Sequence, residues 1–474
     1  MRTFFNFIMK GFWIFLLPIS AFGTNPDDRY SIREDLTPQK MVEEMGLGIN
    51  LGNTMESCGS WINPGKISNY ETAWGSPLVT EAMIAGLAKA GFSSLRIPVA
   101  WSNMMKSDYT IEPTLLARVK TIIDWTIDNG MVAMINEHWD NGWMADFSKP
   151  ALYDERMKKF VSIWTQISNY FSAYGDRLIF ESMNEVGFDD LWTPWSGTAA
   201  SKAKAFGIVN TLNQTFVDVV RASGGNNAKR FLVSEVYNTG LEYAYDPLFK
   251  MPNDPANRSI ATVHYYTPAC FAIAEGPTSW CPNGQAIPTW GTDADWNELN
   301  TNMNNLKKNC VDKGIPIIIG EYAACGGNKT QEMVRLYAVS VTEAVYSRGM
   351  CPMLWDTPGG QYDRSKTTFT DPLFLEQFQS IMAKYGTPTV IKKVNISNTE
   401  PVIFPNPSKG IVTIRFMQEP LNRWELLDAQ MRLLDKQQIS GHSAQVDVSA
   451  LPKGTYFFRV TTDSKSYVQQ VIVL

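Results

Sequence analysis

Short apolar runs alternate with longer amphipathic stretches from about Met45 to Tyr385. The runs are GLGINLGN (46–53), SSLRIPVAW (93–101), MVAMINEHW (131–139) and RLIFESMNE (177–185), then RFLVSEVYN (230–238), SIATVHYYT (259–267), IPIIIGEYA (315–323) and MCPMLWDTP (350–358). Between most of them lie helical patterns, such as TEAMIAGLAKAG (80–91), LLARVKTIIDWTIDNG (115–130) and the long stretch 151–174. Strands alternating with helices predict an α/β fold with a parallel sheet of βαβ units. Eight such repeats suit a (β/α)8 TIM barrel with some long loops. A doubly wound open sheet is the competing arrangement, but no Gly-rich phosphate loop follows the first strand.

A second pattern begins after Tyr385. Residues 386–400 (GTPTVIKKVNISNTE) read as a linker. Residues 401–474 then carry short alternating strands separated by turn residues, which predicts a small all-β sandwich domain. At the other end, Arg2 and Lys10 flank an apolar stretch from Gly11 to Phe22, and Ala21-Phe22-Gly23 has a cleavage-like spacing. Residues 1–23 therefore read as a signal peptide, too short for a membrane span, and 24–385 as the barrel domain.

Composition narrows the chemistry only in places. A chain of 474 residues exceeds one hydrophobic core, in line with two domains. A net charge of −5 and three scattered His argue against a nucleic-acid partner. Six Cys in an exported chain permit disulfides, and Cys270 with Cys281, bracketing the loop CFAIAEGPTSWC, is the expected pair. No CxxC spacing suggests zinc. Fifteen Trp are many, and Trp61, Trp143, Trp192, Trp195, Trp280 and Trp290 fall in loop-like sequence. Flat indole faces suit the C–H faces of sugar rings, with core filling as the other reading.

Active sites of (β/α)8 barrels lie at the C-terminal ends of the strands. Those ends supply Arg96, His138, Asn184-Glu185, His264-x-Tyr266, Glu321 and Trp355. Two carboxylates, with no metal-ligand set and no Ser or Cys nucleophile arrangement, fit glycoside hydrolysis without a cofactor. One acid must be protonated and the other ionised, so their environments must differ. Arg96 and Tyr266, if beside Glu321, would favour its charged form, which leaves Glu185 as the better proton donor. Glu181, four residues before Glu185, should lie deeper in the barrel as scaffold.

On these residues the chain resembles glycoside hydrolase family 5, the cellulase family of retaining (β/α)8-barrel enzymes, over roughly residues 30–385. NLGNT (50–54), which contains Asn53, followed by ETAWGSP (71–77), is similar to the endo-β-glucanase and xyloglucanase branch of that family. The resemblance implies that Glu185 is the acid/base and Glu321 the nucleophile, with Asn184 on the sugar 2-hydroxyl. It implies that Arg96 and Tyr266 orient Glu321, that His138 and His264 line the same subsite, and that Trp355 is a platform under the sugar. In retaining enzymes the two carboxyl groups lie about 5–5.5 Å apart, and that spacing is expected here. Two departures stand out: Val186 follows the acid where the family commonly has Pro, and Trp139 follows His138 where many relatives have a second His.

FPNPSKG (404–410) with VSALPKGTYFFRV (448–460) resembles the sorting domain of the type IX secretion system. A carbohydrate-binding module is the competitor, but Trp424, Phe457 and Phe458 are too few for an aromatic strip. The expectation is a monomeric endo-β-1,4-glucanase, secreted or held at the cell surface, acting on β-glucan and served by the type IX machinery. Xyloglucanase, mixed-linkage glucanase or β-mannanase activity is the alternative, and a catalytically dead glycan-binding barrel is the reading from another class.

Overall fold

In the computed structural model, residues 29–385, 401–404, 408–416 and 419–473 are described. The expected signal peptide, the linker and part of the FPNP motif lie outside them. The chain divides into two compact units, residues 1–387 and 388–474.

Each of the eight apolar runs forms a strand. They are β1 (Gly48–Asn50), β2 (Ser94–Ile97), β3 (Val132–Asn136), β4 (Leu178–Glu181), β5 (Leu232–Glu235), β6 (Ser259–Tyr265), β7 (Ile317–Tyr322) and β8 (Cys351–Leu354). They pair in order and β8 closes on β1, giving a parallel barrel. Leu95, Ile97, Ala133, Ile135, Leu178 and Phe180 face the surrounding helices in the main core. The alternate positions Met134, Ile179, Val233, Ile260, Ile318 and Met353 fill the barrel interior. Helix α1 (Pro38–Met45) adds Met41, Val42 and Met45 to that inner cluster. Because both faces of every strand are covered, the strands read as continuous apolar runs.

The helices that follow the strands are α2 (Glu81–Ala90), α3 (Pro113–Asp128), α4 (Pro150–Tyr170), α5 (Ala199–Ala222), α6 (Asp293–Asn309), α7 (Gln331–Tyr346) and α8 (Pro372–Tyr385). No helix follows β5. Single turns at Tyr237–Thr239 and Leu241–Tyr245 take its place. Pro247, Pro252 and Pro255 in the next stretch each remove an N–H donor and forbid a continuous helix.

One irregularity aims a catalytic candidate. In the β6–β7 ladder Val263 pairs with Ile319, but His264 pairs with Glu321, so Gly320 is an extra residue. A bulge of this kind re-aims the side chain after it. Ile318 therefore points inward and, three residues on, so does Glu321, while Tyr322 joins the outer core.

A short ribbon, β9 (Tyr362–Asp363) with β10 (Thr368–Phe369), follows β8. The second unit has strands β11 (Val402–Phe404), β12 (Ile411–Arg415), β13 (Leu421–Leu427), β14 (Leu433–Gly441), β15 (Ser443–Asp447), β16 (Gly454–Thr462) and β17 (Ser466–Val473). They form antiparallel sheets ordered β11-β12-β15 and β14-β13-β16-β17 around one core of residues such as Val412, Ile414, Leu426, Val446 and Val460. Trp424 and Phe458 meet edge-on in that core, at 5.8 Å between rings, so they are packing residues rather than a sugar strip. No helix among the described residues is long and apolar enough to cross a membrane.

Candidate active site

At the C-terminal end of the barrel the inward positions turn from apolar to polar. Asn50, Arg96, Asn136, Glu181, Glu235, His264 and Glu321 all lie there, each at or near full burial. Arg96 is the hub. Its Nε donates to Glu181 Oε2 at 2.7 Å, and Nη1 donates to Glu321 Oε1 at 2.7 Å and Asn50 Oδ1 at 3.0 Å. Its Nη2 donates to Asn184 Oδ1 at 2.6 Å. Burial opposes its charge, but the charges of Glu181 and Glu321 keep the guanidinium protonated. Glu181 also accepts from Asn136 Nδ2 at 3.0 Å, so it is a buried anchor, as its depth in the strand suggests.

Glu321 receives a second donor, the Tyr266 hydroxyl, at 3.0 Å. Burial, and then the Glu321 and Glu185 charges, push the Tyr266 phenol well above its ordinary value, so it stays protonated to donate. Glu185 differs. Its side chain is 47% exposed, its φ is 53°, and its Oε1 bonds His264 Nδ1 at 2.7 Å. A left-handed conformation is costly for a non-glycine residue and is held only by its surroundings. One oxygen of Glu185, one of Glu321 and a ring nitrogen of His264 lie within 4.8 Å of one another. Among the described residues this is the only such set that could hold a metal ion, yet a cation would have to displace the His264 bond and compete with Arg96.

His138 lies on the other side. Asn136 Nδ2 reaches His138 Nδ1 at 3.2 Å; an amide NH2 can only donate, so Nδ1 accepts and Nε2 carries the proton. Burial, then the Arg96 and His264 charges, hold this imidazole well below its ordinary value and therefore neutral. Its ring lies parallel to that of Trp355, 5.8 Å away. Asn53 stands apart from the acids: its backbone N–H bonds Glu56, and with Trp355 it lines an adjoining cavity of about 470 Å³.

Two carboxylates beside an unreactive shell of donors are what sugar hydrolysis requires, and comparison with known proteins agrees. Residues 55–359 match the family Cellulase (glycosyl hydrolase family 5). The chain belongs to glycosyl hydrolase family 5. It is 34% identical to endoglucanase B of Clostridium cellulovorans, over 73% of this chain and 76% of that protein. Among solved structures it is similar to a broad-specificity family 5 endoglucanase from an uncultured bovine rumen ciliate, at TM-score 0.67 and 33% identity, covering 74% of this chain and 99% of that one. A family 5 lichenase from Caldicellulosiruptor sp. F32 is matched at TM-score 0.67 and 31% identity, over 76% and 97% of the two chains. Residues 402–474 match the Secretion system C-terminal sorting domain. The protein is thus a glycoside hydrolase of the endo-1,4-β-glucanase type, carrying a module for secretion or cell-surface attachment.

Within this family 5 site some sequence expectations need correcting. Arg96 and Tyr266 do flank Glu321, but burial outweighs His264 and Arg96, and the Glu321 carboxyl lies above its ordinary value. For Glu185, burial acts upward but is incomplete, and the hydrogen bond and charge of His264 prevail, so this carboxyl is lowered. The order is the reverse of that expected, because the sequence does not reveal that His264 binds Glu185 directly. His264 itself is raised: burial works against its charge, but Glu321 and Glu185 overcome it. Trp143, Trp192 and Trp290 are buried and unavailable as cleft-rim platforms, whereas Trp61, Trp139, Trp195 and Trp280 are exposed. Asn50, Asn136 and Glu235 are not among the sequence candidates, although each ends or nearly ends an apolar run. Cys270 and Cys281 are joined.

Gly320 has no room for a side chain. A Cβ there would lie 2.7 Å from Thr262 Oγ1 and 3.1 Å from His264 Nε2. Gly320→Ala is therefore expected to leave the fold intact but shift His264 and Glu321. A misplacement of about 1 Å costs about 10²-fold in activity, so kcat should fall by up to that factor. Comparing kcat on soluble β-glucan with the circular dichroism of the same preparation checks this.

Proposed function

We propose that Glu321 is the nucleophile and Glu185 the general acid/base of a retaining double displacement on β-1,4-glucan chains. The observation that carries the reading is their approach, with oxygens within 4.8 Å, too close to leave room for a water between acid and sugar. Glu321, oriented by Arg96 and Tyr266, attacks the anomeric carbon while Glu185 protonates the departing oxygen. Glu185 then takes a proton from water, which hydrolyses the glycosyl-enzyme ester. Asn184, its carbonyl bound by Arg96, turns its NH2 to the 2-hydroxyl, and His138 Nε2–H faces the same sugar. Trp355 supplies the platform. The proton that Glu185 needs is stored on His264 Nδ1, so one shift along a 2.7 Å hydrogen bond creates the acid.

Endoglucanase, broad-specificity endoglucanase and lichenase names among the relatives favour unbranched and mixed-linkage β-glucans as substrates. A xyloglucan-specific endo-β-1,4-glucanase of Bacteroides ovatus, 33% identical, supports tolerance of branches. Mannan is the least favoured. All the proposed groups come from one chain, so a monomer suffices. Residues 1–23 serve as the leader, 24–385 as the catalytic domain, 386–400 as a linker and 401–474 as the sorting domain.

Reducing-end release should be greatest on barley glucan and carboxymethyl cellulose, and lowest on mannan. Glu185→Gln should lower turnover about 10²–10⁴-fold, the usual worth of a general acid. Glu321→Ala should abolish it, and proton NMR of early wild-type products should show the β-anomer first. Normal hydrolysis by Glu321→Ala, or the α-anomer first, would sink the mechanism.

The pH dependence has a definite sign. Glu321 must be ionised, and its raised value places the acid limb of kcat/KM above an ordinary Glu. The alkaline limb is loss of the proton shared by His264 and Glu185, and His264 is raised. His264→Asn removes that store and also a charge that lowers Glu321. The bell should narrow from both sides, as a pH series on a soluble glucan will record.

A further inference from the structure

The residue after the acid, Val186, is held on both of its polar groups by the chain leaving β5. Its N–H donates to Glu235 Oε1 at 2.5 Å, and its carbonyl accepts from the Asn238 N–H at 2.9 Å. The next turn is fixed there too, since Phe188 N–H donates to the Tyr237 hydroxyl at 2.9 Å. Glu235 is fully buried, ends β5, and has no role in the chemistry proposed above. Its other oxygen, Oε2, is buried without a partner. A buried carboxyl with one bond is expensive unless the group it holds requires it. That group adjoins Glu185, whose φ of 53° no local preference supports.

We propose that Glu235 is the positioning residue for the acid/base, gripping the Val186 N–H so that the strained Glu185 backbone keeps its carboxyl aimed at the leaving oxygen. The assignment rests on Glu185 being that acid/base. It also explains the departure at 186, because proline there has no N–H to give. Burial chiefly, with the Glu181 and Glu185 charges nearby, raises the Glu235 carboxyl well above its ordinary value, against the Val186 bond and Arg96. A neutral acid fits the task, since the N–H needs only an acceptor oxygen. Glutamine preserves that oxygen and leucine removes it.

The test separates substrates by their need for a proton. Barley β-glucan has a poor leaving group, whereas 2,4-dinitrophenyl β-cellobioside loses its phenolate unaided. Glu235→Leu should lower kcat/KM on the glucan about tenfold or more, as misaimed general acids do, and leave the activated substrate unchanged. Glu235→Gln should match the wild type on both. Should Glu235→Leu fail to fold, Val186→Pro, which deletes the donor instead, should show the same selective loss. Equal losses on both substrates, or none, overturn the proposal. Glu185→Gln is the control: if it too lacks the leaving-group dependence, the acid assignment itself falls, and if it shows that dependence while Glu235→Leu does not, the positioning role alone falls.

Discussion

A guanidinium buried in the mouth of a barrel must be answered by hydrogen bonds and charge on every side, and the site is organised around meeting that demand for Arg96. Its donors reach Asn50 on β1, Glu181 on β4, Asn184 just beyond it, and Glu321 on β7. Three segments of chain, besides the strand that carries Arg96, are thereby tied to one planar group. Because the fork of Arg is rigid, the positions of its acceptors are set relative to one another and not only to their own strands. Glu181 gives the cation a permanent partner, so Glu321 is not its sole counter-charge.

The two acids are distinguished by what surrounds them rather than by what they are. Glu321 sits in a closed, fully bonded niche at a bulge, and Glu185 on a strained residue at the solvent edge with one imidazole partner. Desolvation and hydrogen bonding oppose each other on both groups, with opposite outcomes. A group covering Glu185 would remove water from the more exposed of the two acids and raise it.

Much of this is legible in the order of the amino acids. Strands buried on both faces appear as unbroken apolar runs, so all eight can be read, and a polar residue closing such a run marks the barrel mouth. The same rule points equally at Glu235, at the end of FLVSE, and at Asn50, yet a reaction that needs two acids and a few sugar contacts has no evident use for either. The missing helix after β5 is signalled by Pro247, Pro252 and Pro255. Other features leave no trace along the chain. The run IIIGEYA has no alternation to reveal that Gly320 is an extra residue in the ladder. Loop tryptophans look alike in sequence whether they cover a cleft or, like Trp143, lie beneath Lys159 and bond Glu137. The ionisation order of the acids depends on distances of a few ångströms between residues dozens of positions apart.

The bond between Val186 and Glu235 joins positions 49 apart in the chain. Neither can be exchanged freely while the other stays: a proline at 186 would strand a buried carboxyl, and an apolar residue at 235 would strand a buried N–H. An exchange at either position alone is therefore disfavoured, whereas a joint exchange that removes both the donor and the acceptor leaves no polar group stranded. The effect of changing one residue of the pair depends, through this single hydrogen bond, on what stands at the other. Where one of these letters varies in descendants of this gene, the other is expected to vary with it.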